Sequence, residues 1–228
     1  VLAHDGVFTG APTHDVANRA TTWADFKTLF LAEQYAGTRM KVYVKRGGTY
    51  TADASGAVLL RGYDDFYMDA WGTGDRPIID FSATTGTGGA FRFWSDTYKT
   101  HKFSNLVLKG SWNSTNDASS EGGLLYNSYA FYGGTADTIV DNVKFDGLDG
   151  FGVEGLVDGR VLRLIAHEVE HTNAKNYFLF SYVTGNCNAH LIGCKIVDPV
   201  TALNGAENRR VTDEWYGRNS HFGIRCDK

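Results

Sequence analysis

Several features common in well-marked proteins are scarce in this chain. Of its 228 residues, 3 are proline, 3 are cysteine and 2 are methionine. The cysteines, Cys187, Cys194 and Cys226, form an odd and sparse set, which excludes a disulfide framework. No apolar run reaches the ~18 residues of a membrane-spanning helix. There is no basic cluster, and 22 Lys and Arg against 26 Asp and Glu leave a net charge of −4, which argues against a nucleic-acid surface. The chain has neither a secretory leader nor an initiating Met, so a trimmed or internal fragment is expected, continuing past Lys228. Glycine is abundant at 27 and aromatic residues reach 14%, a composition that suits many short strands joined by tight turns.

Against that background one phrase repeats. It is an apolar-polar-apolar triplet, usually led by Asn or another small polar residue: Ile79-Asp80-Phe81, Leu106-Val107-Leu108, Val143-Lys144-Phe145, Val169-Glu170-His171 and Cys194-Lys195-Ile196. The starts at 79, 106, 143, 169 and 194 are separated by 27, 37, 26 and 25 residues. The long step holds the polar run Ser111 to Gly123, which reads as a loop insertion; a second insertion spans 198–220. A second set of strand-like runs lies between the phrases: Ala90–Phe93, Leu124–Tyr126, Phe151–Val153, Tyr177–Phe180 and Phe222–Ile224.

Two ladders at one period predict a solenoid. A unit of this length cannot bury its apolar face alone, whereas stacked coils can, each strand pairing with the one above at ~4.8 Å. The outer places of each triplet should point inward and the middle one outward. Ile79, Leu106, Val143, Val169 and Cys194 then form one inward column, and Phe81, Leu108, Phe145 and Ile196 a second. Asp80, Val107, Lys144, Glu170 and Lys195 form the outer column, in which Lys144, Glu170 and Lys195 alternate in sign. Cys194 is thereby a small core residue.

Residues 1–20 read as a polar, loop-like lead-in. Thr22 to Tyr35 predicts a helix: Thr22 and Asp25 make a capping-box start, Trp23, Phe26, Leu29 and Phe30 share a face, and Gly37 is placed to end it. Such a helix would cover the open end of the first coil. The expected organisation is a lead-in and capping helix over 1–37, then an all-β parallel solenoid over 38–228.

The run Lys41 to Tyr50, the step Gly72-Thr73-Gly74-Asp75-Arg76-Pro77-Ile78-Ile79-Asp80 and the coil Asn188 to Ile196 resemble the right-handed parallel β-helix proteins of the pectin-lyase-like superfamily. The resemblance covers residues from about 22 to 228. It implies a right-handed parallel β-helix directed at polysaccharide, as in pectate and alginate lyases, polygalacturonases and bacteriophage tailspikes. An extracellular or virion-surface setting goes with it, and a homotrimer if the chain is part of a fibre. The chain carries no paired-Asp motif of the polygalacturonase kind. A lyase, a hydrolase and a non-catalytic adhesion or structural module all stay open.

One literal motif competes, with a zinc metallopeptidase as the alternative function. His167-Glu168-Val169-Glu170-His171 matches H-E-x-x-H, which on a helix brings two His to one zinc ion and leaves the Glu to activate water. Residues four apart are neighbours at ~6 Å on a helix, but lie ~13 Å apart on a strand. Val169 falls on the ladder, and no Gly-x-x-His follows His171. The expectation is therefore a strand with Glu168 and Glu170 on its outward side and no shared metal.

For a lyase, His167 or His171 would be the base, with Lys144 or Lys195 neutralising a uronate carboxylate. For a hydrolase, Glu168 or Glu170 would act with Asp146 or Asp149. Asp146, Asp149, Glu154 and Asp158 form a glycine-spaced acidic cluster. No cofactor is expected, Ca²⁺ being the one ion that such a cluster would take. Trp112, Tyr126 and Tyr129 are candidates for stacking on sugar faces, beside Trp94 and Tyr132. Arg209, Arg210, Asp213, Glu214 and Trp215 mark the second insertion, and Asn113-Ser114-Thr115 is a glycosylation sequon.

Overall fold

A computed structural model describes residues 1–33, 39–52, 58–60, 65–83, 91–93, 99–110, 129–132, 136–155, 161–172, 179–183 and 186–197. These residues are mostly strand, with one α-helix, α1 (Trp23–Glu33), and a short 3-10 turn at Val16–Asn18. The strands form three open sheets in which every pairing is parallel. The first sheet contains β1 (Met40–Lys45), β4 (Asp65–Trp71), β7 (Lys99–Ser104), β10 (Ala136–Asp141), β13 (Val161–His167) and β16 (Asn186–Ile192). The second contains β2 (Thr49–Thr51), β5 (Ile78–Asp80), β8 (Val107–Lys109), β11 (Lys144–Asp146), β14 (Glu170–Thr172) and β17 (Lys195–Val197). The third contains β3 (Val58–Leu60), β6 (Phe91–Phe93), β9 (Tyr129–Tyr132), β12 (Asp149–Gly155) and β15 (Leu179–Val183). Each strand pairs with the strand three places later in the chain, so the backbone visits the three sheets in a fixed order.

Parallel stacking turns sequence alternation into columns. In the first sheet Val42, Met68, Phe103, Val140 and Ala166 are in register and buried. In the second, Leu106, Val143 and Val169 are wholly buried, and Cys194 packs against the same core, its Sγ donating to the Ala166 carbonyl oxygen at 3.3 Å. Burial pushes the Cys194 thiol pKa up. The register Val107, Lys144, Glu170, Lys195 fits the expected alternation of charge, and Lys144 Nζ lies 3.6 Å from Glu170 Oε1.

Three expectations are corrected. Ile79 pairs with Leu108 and not with Leu106, so it joins the second inward column after Tyr50, and its phrase is Pro77-Ile78-Ile79. Asp80 accordingly leaves the outer column of Lys144 and pairs with Lys109 at 3.0 Å. A slip of two residues keeps inside and outside unchanged, so alternation alone could not detect it. Second, there are three ladders, not two: the first sheet continues from β1 through five later strands. Third, the lead-in is tied down. Leu2 is wholly buried and forms parallel bridges to Val44 and Ala20, with Leu2 N donating to the Tyr43 carbonyl at 2.9 Å. Of the run Tyr177–Phe180, Leu179 and Phe180 lie in β15, and the first two residues are outside the described ones. Leu124–Tyr126, Phe222–Ile224, Gly37 and both insertions lie outside the described residues.

Helix α1 starts as expected, Asp25 N donating to Thr22 Oγ1 at 3.1 Å. Trp23, Phe26 and Phe30 are buried, and Leu29 packs against the core. Trp23 meets Phe81 and Phe91 edge-on at 5.5 and 6.4 Å, and Phe30 meets Phe66 at 5.8 Å. The helix thus covers the apolar interior at the start of the stack. No helix among the described residues is long and apolar enough to cross a membrane.

Only two residues separate a first-sheet strand from the second-sheet strand that follows it, from β7 onward. The first of the two has a positive φ each time: Asn105 at 57°, Asn142 at 51°, Glu168 at 51° and Gly193 at 63°. Asn and Gly tolerate this conformation better than other residues. The corner side chains also bond to one another: Asn142 Nδ2 donates to Asn105 Oδ1, and Asn105 Nδ2 to Asp69 Oδ1, both at 2.8 Å. Arg76 Nη1 donates to the Asn142 carbonyl and Oδ1 at 3.2 Å. Replacing Asn142 by Ala should cost roughly 2 kcal/mol, from backbone strain and lost bonds, read as a fall in Tm of about 4–8 °C. Asn142→Gly should recover the backbone part alone. An Ala variant as stable as the parent would rule out this ladder as a strut.

Candidate functional site

The same corners decide where the candidate residues point. His167 is the last residue of β13, Glu168 is the corner, Val169 turns inward, and Glu170 opens β14. The H-E-x-x-H segment is therefore two strands and a bend, not a helix. His171 is 0% exposed, aligned with Phe145 and packed edge-on against its ring at 5.8 Å. Its Nε2 is hydrogen-bonded to the Leu148 carbonyl oxygen. His167 is on the outside, its side chain 46% exposed. One imidazole is in the core and the other in water, so they lie on opposite sides of the wall. This corrects the expectation of one strand through the motif.

Glu168 and Glu170 are likewise not partners on one strand. Glu168 is exposed at the corner, whereas Glu170 is half-buried beside Lys144 on the second sheet. Asp146 shares that outward face, diagonal to Glu170 across the β11–β14 pair. Asp149 opens β12 in the third sheet, aligned with Tyr129, and Gly147 turns the chain between them with φ 68°. Asp146 and Asp149 thus belong to different sheets. Lys195 continues the Lys144–Glu170 row by register. Trp112, Tyr126, Trp94, Asp158 and the Arg209–Trp215 group lie outside the described residues. Among the described residues no three His, Cys, Asp or Glu side chains converge where a metal ion could sit.

The outward face of the first sheet holds what the sequence reading missed. Lys41, Tyr67, Lys102, Ile139, Ile165 and His190 form one register row. The neighbouring row carries Tyr43 and Asp69, then Ser104, Asp141, His167 and Ile192. At the start of the stack a cleft of about 370 Å³ is lined by Arg39, Lys41, Tyr43, Tyr67, Asp69, Lys102 and Ser104. Arg39 is held by Asp65 at 2.7 Å, and its guanidinium lies 5.8 Å from the centre of the Tyr67 ring. The bond to Asp65 raises the Arg39 pKa. Asp69 is occupied by Asn105 Nδ2 and the Ala70 N–H, both at 2.8 Å. Among the described residues neither Lys41 nor Lys102 has an ion-pair or hydrogen-bond partner. Further along the face, His167 Nδ1 and Asp141 Oδ1 are 2.8 Å apart. That hydrogen bond raises the His167 pKa above its usual value, with smaller help from Glu168. The signal that could have found this face is the alternation of Asp65–Trp71, which repeats that of Met40–Lys45 with buried Phe66 and Met68.

Comparison with known protein families, curated proteins and solved structures finds no match.

Burial drives the His171 pKa from 6.5 down to about 4. The unfolded chain therefore takes up a proton that the folded protein refuses between pH 6.5 and about 4. Stability should be full above this window and fall by roughly 3 kcal/mol as pH drops through it. His171→Leu should lower stability at neutral pH, because Leu148 loses its partner, yet flatten the slope in that window. Urea midpoints measured across it for both proteins check this; parallel curves would refute it.

Proposed function

We propose that this chain is a right-handed parallel β-helix protein that holds an extended polysaccharide along its stacked strands and degrades it. The supporting observation is the first-sheet face: a cleft with two tyrosines and a hydrogen-bonded Asp141–His167 pair lie on one continuous outward surface. Aromatic rings suit the apolar faces of sugars, and a flat row of strands suits a ligand that is itself a repeating chain. The chain's likeness to pectin-lyase-like β-helix proteins points the same way, as does the strict order in which it visits its three parallel sheets. An extracellular or virion-surface setting, and a homotrimer of the tailspike kind, belong to this reading.

Within it His167 is the general base. Asp141 accepts a hydrogen bond from Nδ1, which fixes the tautomer and leaves the Nε2 lone pair to take a proton from the sugar or from water. His171 has no such role, being sealed in the core. A panel of polysaccharides assayed for new reducing ends, and for the ultraviolet absorbance of unsaturated uronates, tests the proposal. His167→Ala should keep binding and lose about 10²–10⁴-fold in kcat/KM. Because the base must be unprotonated, activity should rise with pH through a His167 pKa above 6.5, and Asp141→Asn should move that rise to lower pH. Binding without cleavage would leave a non-catalytic adhesion module; absence of binding across the panel would defeat the reading.

A further inference from the structure

We infer that the first-sheet cleft is a subsite for an anionic glycan, with Lys41 and Lys102 neutralising acidic groups on either side of a sugar stacked on Tyr67. The inference rests on the polysaccharide reading and adds the ligand's charge, its place and its direction. Three adjacent strands present these residues in one row, with Lys41 aligned to Tyr67 and Tyr67 to Lys102.

The other charges of the cleft are already satisfied. Arg39 is paired with Asp65, and Asp69 accepts from Asn105 and Ala70. Elsewhere Lys45 pairs with Asp5, Lys109 with Asp80, and Lys144 with Glu170. Lys41 and Lys102 have no such partner among the described residues, and they flank an aromatic ring in a concave surface. Two cations without a partner among the described residues, held apart by a stacking platform, complement a chain whose acidic groups recur along its length.

The spacing supports the direction. Neighbouring strands lie ~4.8 Å apart, so the two lysine backbones are roughly 9.6 Å apart. An extended pyranoside chain advances by close to one strand spacing per sugar. A glycan running across the strands would therefore present the acidic groups of alternate sugars to the two lysines, with the intervening ring over Tyr67. The same path leads along the face towards Asp141 and His167.

The test is calorimetric titration of the whole chain with three probes: a galacturonate hexasaccharide, neutral maltohexaose, and inorganic polyphosphate of similar charge. The uronate should bind more tightly than either control and weaken as salt rises. The Lys41→Gln/Lys102→Gln double variant should lose about ten-fold in uronate affinity, Tyr67→Ala should also weaken it, and Lys109→Gln should not. Equal affinity for uronate and maltohexaose, or a double variant that binds as well as the parent, overturns the inference and leaves the polysaccharide reading standing. Polyphosphate binding as tightly as the uronate overturns it too, because the cleft would then be an unselective patch of charge. If neither sugar binds, the inference falls, and the polysaccharide panel decides separately whether the wider reading stands.

Discussion

A single residue in the left-handed conformation joins the first and second sheets in four successive circuits, and much else depends on it. Because only two residues lie between the strands, the register of one sheet dictates that of the other. The N–H of Asn105 donates to the Asp141 carbonyl, that of Asn142 to His167, and that of Glu168 to Ile192, so each corner is also bonded to the end of the next first-sheet strand. The corner thus locks pairing within a circuit and stacking between circuits. Its preference for Asn and Gly is physical, since other side chains meet a steric penalty of about 1–2 kcal/mol there. Glu168 occupies such a position beside His167, where backbone strain and the exposed Asp141–His167 pair coincide.

The outward faces differ in how their charge is used. On the second sheet Lys109 with Asp80 and Lys144 with Glu170 neutralise one another across neighbouring strands. Asp80 shows the balance: burial alone would raise its pKa, but bonds from Ser82 and Lys109 outweigh that and hold it low. Paired surface charges of this kind add little stability and present little net field to a ligand. On the first sheet the acidic groups near the cleft are engaged with Arg39 and Asn105, which leaves Lys41 and Lys102 to face outward. The two faces differ in which charges are paired among the described residues.

The interior is equally uneven. At the start of the stack it is aromatic, with Trp23, Phe26, Phe30, Phe66, Phe81, Phe91 and Phe103 buried in one cluster. Further along, Val140, Val143, Ala166 and Val169 are buried beside Phe145, Leu148 and Leu164, and His171 takes a place that Phe145 and Leu108 fill in the strands before it. The large rings meet α1, which covers this end of the core. Burial holds the His171 imidazole well below its usual pKa, which makes this part of the core sensitive to acid.

Much of this was legible in the sequence alone. Alternation identified Leu106, Val143, Val169 and Cys194 as inward and Lys144, Glu170 and Lys195 as an outer row of alternating charge. Capping chemistry at Thr22 and Asp25 located the start of α1. These are local properties, readable within a few residues. Tertiary structure decided what local pattern cannot reach. It moved Ile79 opposite Leu108, because a period of two is blind to a slip of two. It bent the H-E-x-x-H segment around a corner, so that the same imidazole chemistry became solvent-facing at His167 and buried at His171. It assembled Lys41, Tyr67 and Lys102 from strands 26 and 35 residues apart, where no spacing rule links them until parallel pairing puts them side by side.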